Sequence, residues 1–532
     1  MQAIKTEEKC SGITNGILGG TLSLTVSALI VKFLGLVYKI PIASLLGDLG
    51  MGYFNSAYTV YAFFYLLCTA GVPKAVMILI SQAKAMGRVI EERKILSVAI
   101  RIFLTLGTII CLIFIIFSAP IARLIGNSRS AFTMISIAPS IVFVALSGVI
   151  RGYLNANMKL FDIAISQVIE GVGKLLLGLA FAMLGRAKNL PLEIISAMTI
   201  FGVTLGSFFG FAYLLICCKI KIKNEKAGQK SEKLQNKEIA KRIFAISIPI
   251  TISAAIMSIT GIIDLGLIMR SLTKIGYSEA DASALYGNYT TLAVPMFNLA
   301  ISIITPISVA HLPLFTKAVV GRDEFARGDA ERSCLELTAI ASAPMTFGLL
   351  VYSKEILGFL FPDSNLKVGS ELLCMLTPAI LFSSMLMVVN SILEAAGKLR
   401  SPMISMIFGS IAKLLVSYFA ITKSSLGILG APLGTVICYA MALLVSLILY
   451  DKTLKTRLPI FASSFAPYSS AFTAVFASRI LYDRLFFLID DRALLLLCIL
   501  VAAVIYFCLL AFVGVLSPKK IHKMANYTKI AE

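Results

Sequence analysis

The sequence predicts an all-α integral membrane protein with about 14 transmembrane helices. Of its 532 residues, 58% are hydrophobic and only 14% are charged, whereas roughly 25% of the residues in soluble domains are charged. The mean hydropathy is +0.90. The apolar residues form runs of about 20, the length with which a helix crosses a hydrocarbon core roughly 30 Å thick. The short alternating segments of outer-membrane barrels are not seen, so the spans are predicted to be helical.

Fourteen apolar runs are predicted to cross the membrane. The first is expected to act as an uncleaved signal anchor, because the segment before it lacks the features of a cleavable signal. Gly35 and Pro41 are the expected points of bending at its end. The spans lie at about residues 13–37, 54–82, 96–120, 131–152, 161–184, 194–217, 243–270, 285–314, 334–352, 370–392, 402–421, 428–450, 463–481 and 493–516.

The net charge of +20 is explained by membrane topology. The charges fall between the apolar runs and form no continuous basic face, so nucleic acid is not an expected partner. With a cytoplasmic N-terminus, thirty of the 48 Lys and Arg residues lie in cytoplasmic segments and twelve at the outer ends. That asymmetry follows the positive-inside rule, and an even number of spans returns the C-terminus to the cytoplasm.

The basic segment 219–242 is the predicted boundary between two halves, because it is the only extended polar segment inside the chain. It is expected to be a solvated cytoplasmic linker near anionic headgroups. The predicted organisation is therefore an N-lobe of spans 1 to 6, this linker, a C-lobe of spans 7 to 12, and a last part with spans 13 and 14 and a cytoplasmic tail. The corresponding residues are 1–218, 219–242, 243–450 and 451–532.

An internal repeat relates the two halves. At an offset of 239, residues 155–178 and 394–417 are identical at eight of 24 positions, and Lys174 pairs with Lys413. The offset relates span 5 to span 11, so the two six-helix lobes are predicted to be parallel repeats. Parallel repeats are a transporter architecture in which the substrate route lies between the lobes near the midplane.

Five lysines at apolar positions are the predicted substrate-binding residues. A charge at the centre of a spanning helix costs roughly 2.5 to 3.5 kcal/mol, so such residues usually face a cavity or a partner. The alternative for each is a local ion pair or a side chain that extends to the interface; Arg101, near the end of span 3, is expected to be such an anchor. Because the deep charges are mainly positive, phosphate or carboxylate substrates are favoured over organic cations. The five are Lys32, Lys39, Lys74, Lys174 and Lys413.

Two carboxylates, Glu170 and Asp264, are predicted to balance these charges or to couple transport to an ion. Glu170 precedes Lys174 by four residues, a spacing that places both on one helix face in the favourable order for an ion pair. Its counterpart in the repeat is Gly409. Asp264 is either a counter-ion for a lysine or a ligand for a coupling cation.

No catalytic or metal-binding pattern is present in the sequence. It contains only two histidines, His311 and His522, with no GxSxG or Walker motif and no acidic metal cluster. The chain is therefore not expected to be an enzyme or to carry a cofactor. Transport would be coupled to the membrane potential, Na⁺ or H⁺.

Four segments carry a resemblance to a known family. They are VKFLGLVYKIPIASLLGDLGMGYFNSAYTVYAFFYLLCTAGVPKAV, RGYLNANMKLFDIAISQVIEGVGKLL, ALYGNYTTLAVPMFNLAISIITP and LEAAGKLRSPMISMIFGSIAKLLVSYFAI. The chain resembles polysaccharide biosynthesis proteins of the stage V sporulation protein B type, in the multidrug/oligosaccharidyl-lipid/polysaccharide exporter superfamily.

The resemblance implies a monomeric flippase in the bacterial cytoplasmic membrane. Such a protein moves an undecaprenyl-pyrophosphate-linked saccharide, lipid II or a related envelope precursor, from the inner to the outer leaflet by alternating access. The lobes would enclose a cationic cavity, and spans 13 and 14 would offer a groove for the lipid tail. Lys32, Lys39 and Lys74 stand where related lipid II flippases carry arginines; a lysine keeps the charge but loses the bidentate fork. Span 8 departs from the pattern, with Asn288 and Thr290 before Pro295.

Two other functions stay open. A multidrug antiporter of the same superfamily would be coupled to Na⁺ or H⁺ through Asp264, although its organic cations would require an acidic cavity. A membrane scaffold that recruits envelope enzymes through the basic linker would fail on deletion of residues 222–236, whereas a flippase would keep transport. The glycan, the coupling ion and a role in growth or sporulation are not specified by the sequence.

Overall fold

The regular secondary structure of the described chain is entirely helical. The computed structural model describes residues 2–86, 88–224, 235–321, 323–362, 364–398, 400–424, 426–454, 456, 458–485 and 491–515. The chain divides into two compact units. The first comprises residues 1–269 and 279–287, and the second comprises residues 270–278 and 288–532.

The helices are labelled in chain order. Those that begin in the first unit are α1 (Gln2–Thr69), α2 (Val72–Ala85), α3 (Val89–Ile116), α4 (Ser118–Leu124), α5 (Ala131–Ile137), α6 (Ser140–Ala156), α7 (Leu160–Ala187), α8 (Leu192–Asn224), α9 (Asn236–Lys274) and α10 (Glu279–Asn288). Those of the second unit are α11 (Val294–Val320), α12 (Glu324–Val351), α13 (Ser353–Leu360), α14 (Leu366–Leu376), α15 (Pro378–Ala395), α16 (Ser401–Thr422), α17 (Gly430–Leu454), α18 (Ile460–Leu485) and α19 (Asp491–Phe512).

Within the described residues, eleven helices are long and apolar enough to cross a membrane, or twelve if a bent pair within 128–156 counts as one span. The sequence predicts fourteen spans. One difference arises because the first candidate, Phe33–Lys84, joins the predicted spans 1 and 2. The other is α9, which covers the predicted span 7 but is not among the eleven. The predicted fold class, a multi-pass helical membrane protein, is confirmed.

The break that separates the first two predicted spans lies at Gly47. This residue has φ +63° and ψ 179° inside α1, whereas Gly35 and Pro41 stay helical. The expected bend at those two residues stays a prediction, since a helix can bend at a proline while its backbone stays helical. Glycine is suited to the break because it has no Cβ to clash in this backbone conformation.

Predicted span 2 is itself interrupted before Pro73. α1 ends at Thr69, and α2 begins at Val72 with Pro73 in its first turn. A proline is tolerated there because its missing N–H would have had no partner within the helix. The proline therefore marks the start of the second helical segment of this span.

A π-helical turn at Tyr289–Ala293 joins α10 to α11. Its cause is Pro295, which has no N–H to donate to Thr291 and whose ring clashes with the carbonyl four residues earlier. A π turn accommodates one extra residue in the helical ladder, and such turns are frequent at functional sites.

Glycines set the close approach of α7 and α8 in the first unit. A Cβ at Gly202 would lie 2.3 Å from the backbone nitrogen of Gly178, and one at Gly206 would lie 2.7 Å from that of Lys174. Small residues four apart bring helix backbones together in membranes, where packing and not apolar burial drives association.

The second unit repeats this arrangement with α16 and α17. A Cβ at Gly409 would lie 2.5 Å from the carbonyl of Cys438, and one at Gly434 would lie 3.0 Å from the carbonyl of Lys413. Because α16 contains the repeat counterpart of α7, the recurring close pair agrees with the internal duplication.

The compact units divide near residues 270–288 and not at the linker 219–242. The predicted lobe bounds describe the sequence repeat, and they stay a prediction. Linker residues 225–234 lie outside the described part of the chain.

Candidate functional site

A buried carboxylate in the first unit accepts bonds from three helices. Glu170 on α7 is 9% exposed. Its Oε1 lies 2.8 Å from Nζ of Lys174, one turn later on the same helix, and its Oε2 lies 3.0 Å from Nη2 of Arg151 on α6. Ser207 on α8 donates from Oγ to Oε1 at 3.3 Å. The predicted Glu170–Lys174 ion pair is therefore confirmed, and the structure adds two partners to it.

Two glycines on α8 make room for this cluster. A Cβ at Gly210 would lie 3.1 Å from Cβ of Glu170, and a Cβ at Gly206 would lie 2.8 Å from Cγ of Lys174. A larger residue at either position would push α8 away from α7 and open the carboxylate to its surroundings. The close helix pair described above thus also shields the ion cluster.

Beside this cluster lies a cavity of about 230 Å³ within the first unit. Lys39 from α1 and Lys174 from α7 both line it, so two of the five predicted substrate-binding lysines meet at one site. The remaining walls are apolar or aromatic, with one amide. The lining residues are Val31, Leu34, Gly35, Tyr38, Phe54, Asn55, Tyr58, Gly171 and Val203.

Positive charge predominates among the ionisable groups of this site. Lys39, Lys174 and Arg151 are cations, and Glu170 supplies one carboxylate. The side chains of Arg151 and Lys174 are 16% and 27% exposed. Taking a charge out of water is costly unless the charge is paired and hydrogen-bonded. Glu170 is such a partner for both Arg151 and Lys174. An anion that entered the cavity would meet ammonium groups in a poorly solvated environment, where electrostatic attraction is strong.

The other predicted lysines are placed elsewhere. Lys74 lies on α2 with an exposed side chain and is not among the residues that line this cavity. Lys413 lies half-buried on α16, in the second unit. The side chain of Lys32 lies outside the described part of the structure. Their assignment to substrate binding stays a prediction, as does that of Lys39 and Lys174.

Asp264 is a buried residue of α9, 7% exposed. Its position inside the predicted span 7 is the one expected of a counter-ion or of a ligand for a coupling cation. Which of these roles it has, and whether Glu170 also affects ion coupling, stay predictions.

Arg151 and Ser207 are site residues that the sequence does not single out. Arg151 stands at the end of predicted span 4, where a basic residue is usually an interfacial anchor. It is nineteen residues from Glu170 and on another helix, so no helical periodicity links the two. The available signal for such partners is indirect. A carboxylate deep in a membrane helix needs cationic and hydrogen-bonding partners to be buried, and these partners can come from other helices.

A comparison with protein families identifies the chain. The family model described as polysaccharide biosynthesis protein matches residues 17–319, more than half of the chain. The chain belongs to the polysaccharide biosynthesis protein family. In this family member, the matched part includes the whole Arg151–Glu170–Lys174 cluster and the cavity beside it. A second family model, MatE, matches residues 289–419.

Two curated relatives of this polysaccharide biosynthesis family member come from Bacillus subtilis (strain 168). Stage V sporulation protein B is 25% identical over 460 residues, 84% of this chain and 86% of the relative. Lipid II flippase MurJ is 22% identical over 465 residues, 83% of each chain. Among solved structures, lipid II flippase MurJ in an inward closed conformation aligns with a TM-score of 0.71 and 18% identity, covering 92% of this chain and 98% of that structure. The likeness shows a shared multi-pass membrane fold.

Proposed function

We propose that the chain is a flippase that moves an undecaprenyl-pyrophosphate-linked saccharide, lipid II or a related envelope precursor, from the inner to the outer leaflet by alternating access. The observation that carries the proposal is the membrane-embedded cavity lined by Lys39 and Lys174. A lipid-linked pyrophosphate is the kind of substrate that requires positive charge at this depth, because a bare phosphate in hydrocarbon is strongly disfavoured.

The Glu170 cluster suggests how the site holds its charge with and without substrate. In the empty site, Lys174 is neutralised by Glu170 at 2.8 Å. When a pyrophosphate oxygen arrives, the Lys174 ammonium exchanges the carboxylate for the phosphate, and Arg151 remains at 3.0 Å to neutralise Glu170. Neither state leaves an unpaired buried charge, which keeps the cost of both states low. Lysine is suited to this exchange because its ammonium is a point charge on a flexible stem.

The relatives support the substrate class, since one is named a lipid II flippase and the other a stage V sporulation protein. In this proposal Lys32, Lys74 and Lys413 supply further contacts along the substrate route, and Asp264 balances charge or couples transport to the membrane potential, Na⁺ or H⁺. Spans 13 and 14 hold the lipid tail. Both termini are cytoplasmic, which follows from the positive-inside asymmetry, and the functional unit is a monomer.

A leaflet-exposure assay tests the proposal. In cells depleted of their other flippases, the wild-type chain should restore outward exposure of the lipid-linked precursor. Lys39→Ala and Lys174→Ala should each reduce it at least about tenfold, which corresponds to loss of one charge-assisted contact. Arg101→Ala is the matched control, since Arg101 is an exposed basic residue of α3 whose guanidinium donates to Oγ of Ser97 at 3.1 Å and which does not line the cavity. Normal exposure in both lysine variants, at equal membrane levels, would exclude the cavity from the transport mechanism.

A second candidate is a cation-coupled multidrug antiporter of the same superfamily. It is favoured by the MatE match over residues 289–419 and by the buried carboxylate of Asp264. The cavity argues against it, because organic cations would be repelled by Lys39 and Lys174. An antiporter would confer drug resistance that disappears in Asp264→Asn and depends on the Na⁺ or H⁺ gradient. Resistance that is independent of Asp264, or absent altogether, would remove this candidate.

A further inference from the structure

A row of aromatic rings runs along one face of the second half of α1. Phe54, Tyr58, Tyr61 and Tyr65 are spaced four, three and four residues apart, which keeps them on one helix face. Successive ring centroids lie 6.3, 5.7 and 5.9 Å apart. Tyr38, from the other side of the Gly47 break, extends the row at 6.3 Å from Phe54.

One ring of this row is open to the cavity. Tyr58 is 42% exposed, whereas its neighbours Phe54 and Tyr61 are 4% and 3% exposed. The rings of Phe54 and Tyr58 are nearly parallel, with an interplanar angle of 8°. Tyr58 lines the same cavity as Lys39 and Lys174. A partly exposed aromatic face therefore lines the same cavity as the two ammonium groups.

Two polar side chains line the cavity together with this ring. The hydroxyl of Tyr38 is buried and makes no hydrogen bond with any residue in the described ranges. Asn55 lines the cavity with both a donor and an acceptor on its amide. A sugar ring has an apolar face of C–H groups and an edge of hydroxyls, so it can stack on an aromatic ring while its hydroxyls bond to amide and phenol groups.

The size of the cavity limits what it can bind. About 230 Å³ is below the roughly 300–1,000 Å³ of sites that enclose drug-sized ligands. It is therefore suited to one sugar ring beside a charged group, and not to a complete lipid-linked saccharide.

We infer that Tyr58, with Tyr38 and Asn55, forms a sugar subsite that binds the first saccharide ring attached to the pyrophosphate, while Lys39 and Lys174 bind the pyrophosphate itself. This inference rests on the proposed flippase function and adds a specificity determinant to it. The subsite makes the protein select lipid carriers that bear a sugar over carriers that bear none. The free energy of that selection comes from contacts with a neutral ring, so it is separable from the attraction of the lysines for phosphate.

The test compares two lipids on the full-length protein in nanodiscs. The probes are farnesyl pyrophosphate and the same lipid carrying one N-acetylglucosamine. Wild type should bind the sugar-bearing lipid about tenfold more tightly, which corresponds to about 1.4 kcal/mol. Tyr58→Leu and Tyr58→Ala should abolish that difference and leave farnesyl pyrophosphate affinity within about twofold. Tyr58→Phe, which keeps the ring, should retain most of it.

The control is Tyr277→Ala, because Tyr277 is a 43% exposed tyrosine of the second unit; it should leave both affinities unchanged. Tyr58→Leu preserves much of the side-chain volume, so it stays informative if the alanine variant does not fold. A tenfold sugar preference that survives in Tyr58→Leu would overturn the subsite, as would equal wild-type affinities for the two lipids. Wild-type binding of neither lipid would overturn the proposed flippase function together with it, whereas loss of the sugar preference alone leaves that function standing.

Discussion

The guanidinium of Arg151 lies 3.0 Å from the carboxylate of Glu170, which also holds the ammonium of Lys174 at 2.8 Å. One carboxylate thus pairs with two cations from different helices, and the three groups together keep one excess positive charge. The two cations differ in surroundings. Lys174 lines the cavity, whereas Arg151 is not among the cavity-lining residues. In the proposed mechanism, Lys174 therefore carries the charge that contacts the substrate, and Arg151 carries the charge that stays paired with Glu170.

Removing the shared carboxylate should destabilise the protein strongly. Glu170→Gln leaves Arg151 and Lys174 without their anionic partner, and breaking a buried ion pair typically costs about 3–5 kcal/mol. Thermal unfolding of the purified protein in detergent measures the effect. The matched control is Glu238→Gln, because Glu238 pairs with Arg242 at the same i, i+4 spacing with side chains about half exposed. Its effect should stay within about 1 kcal/mol, and equal effects of the two substitutions would contradict a buried, shared role for Glu170.

Substitutions of Lys174 and of Arg151 should differ in their effects on flipping and on protein stability. Lys174→Met removes the cavity-facing charge while Arg151 still neutralises Glu170, so precursor exposure should fall at least about tenfold with folded protein retained. Arg151→Met should lower the unfolding temperature and reduce flipping per folded molecule less than Lys174→Met does, because it keeps the cavity-facing ammonium but leaves Glu170 without a cation once Lys174 moves to the phosphate. Lys174→Arg retains the charge and should restore part of the activity. The division of roles is wrong if both methionine variants lose flipping per folded molecule equally.

The close approach of α7 and α8 should make Gly206 intolerant of a side chain. A Cβ there would lie 2.7 Å from the nitrogen of Lys174 and 2.8 Å from the carbonyl oxygen of Glu170, both backbone atoms that cannot move aside. Gly206→Ala should therefore cost about 1–3 kcal/mol through overpacking. Gly328 on α12 has nothing within 4 Å of its Cβ position, so Gly328→Ala should be neutral or stabilising by up to about 1 kcal/mol. Detergent-induced unfolding curves of both variants provide the comparison.

The break in α1 should depend on glycine for its backbone and not for space. Gly47 has φ +63° with nothing within 4 Å of its Cβ position, so Gly47→Ala should cost about 1–3 kcal/mol purely as backbone strain. Gly35→Ala is the control, since Gly35 has equally open surroundings and a helical backbone. It should be neutral or slightly stabilising. Similar unfolding temperatures for the two variants would show that the break relaxes without cost.

What the sequence predicts well is local. The spans follow from the length of the apolar runs, and the Glu170–Lys174 pair follows from a four-residue spacing on one helix. The interruption before Pro73 follows from the chemistry of proline alone. The contact of Arg151 with Glu170 could not be predicted in this way, because it depends on how α6 packs against α7. The break at Gly47 was also missed, since a glycine is compatible with both a helix and a positive φ, and the surrounding packing decides between them.

The Arg151–Glu170 contact also has a consequence for sequence variation. At the repeat offset of 239, Arg151 corresponds to Asn390 and Glu170 to Gly409, whereas Lys174 corresponds to another lysine. The second copy therefore has the ammonium but neither the guanidinium nor the carboxylate. A guanidinium at position 151 without the carboxylate at position 170 would be a buried charge without its partner, and the carboxylate without the guanidinium would have only Lys174, so chains with one of the two groups alone should be disfavoured. Across related chains, positions 151 and 170 should covary as a pair, while position 174 should vary independently of them.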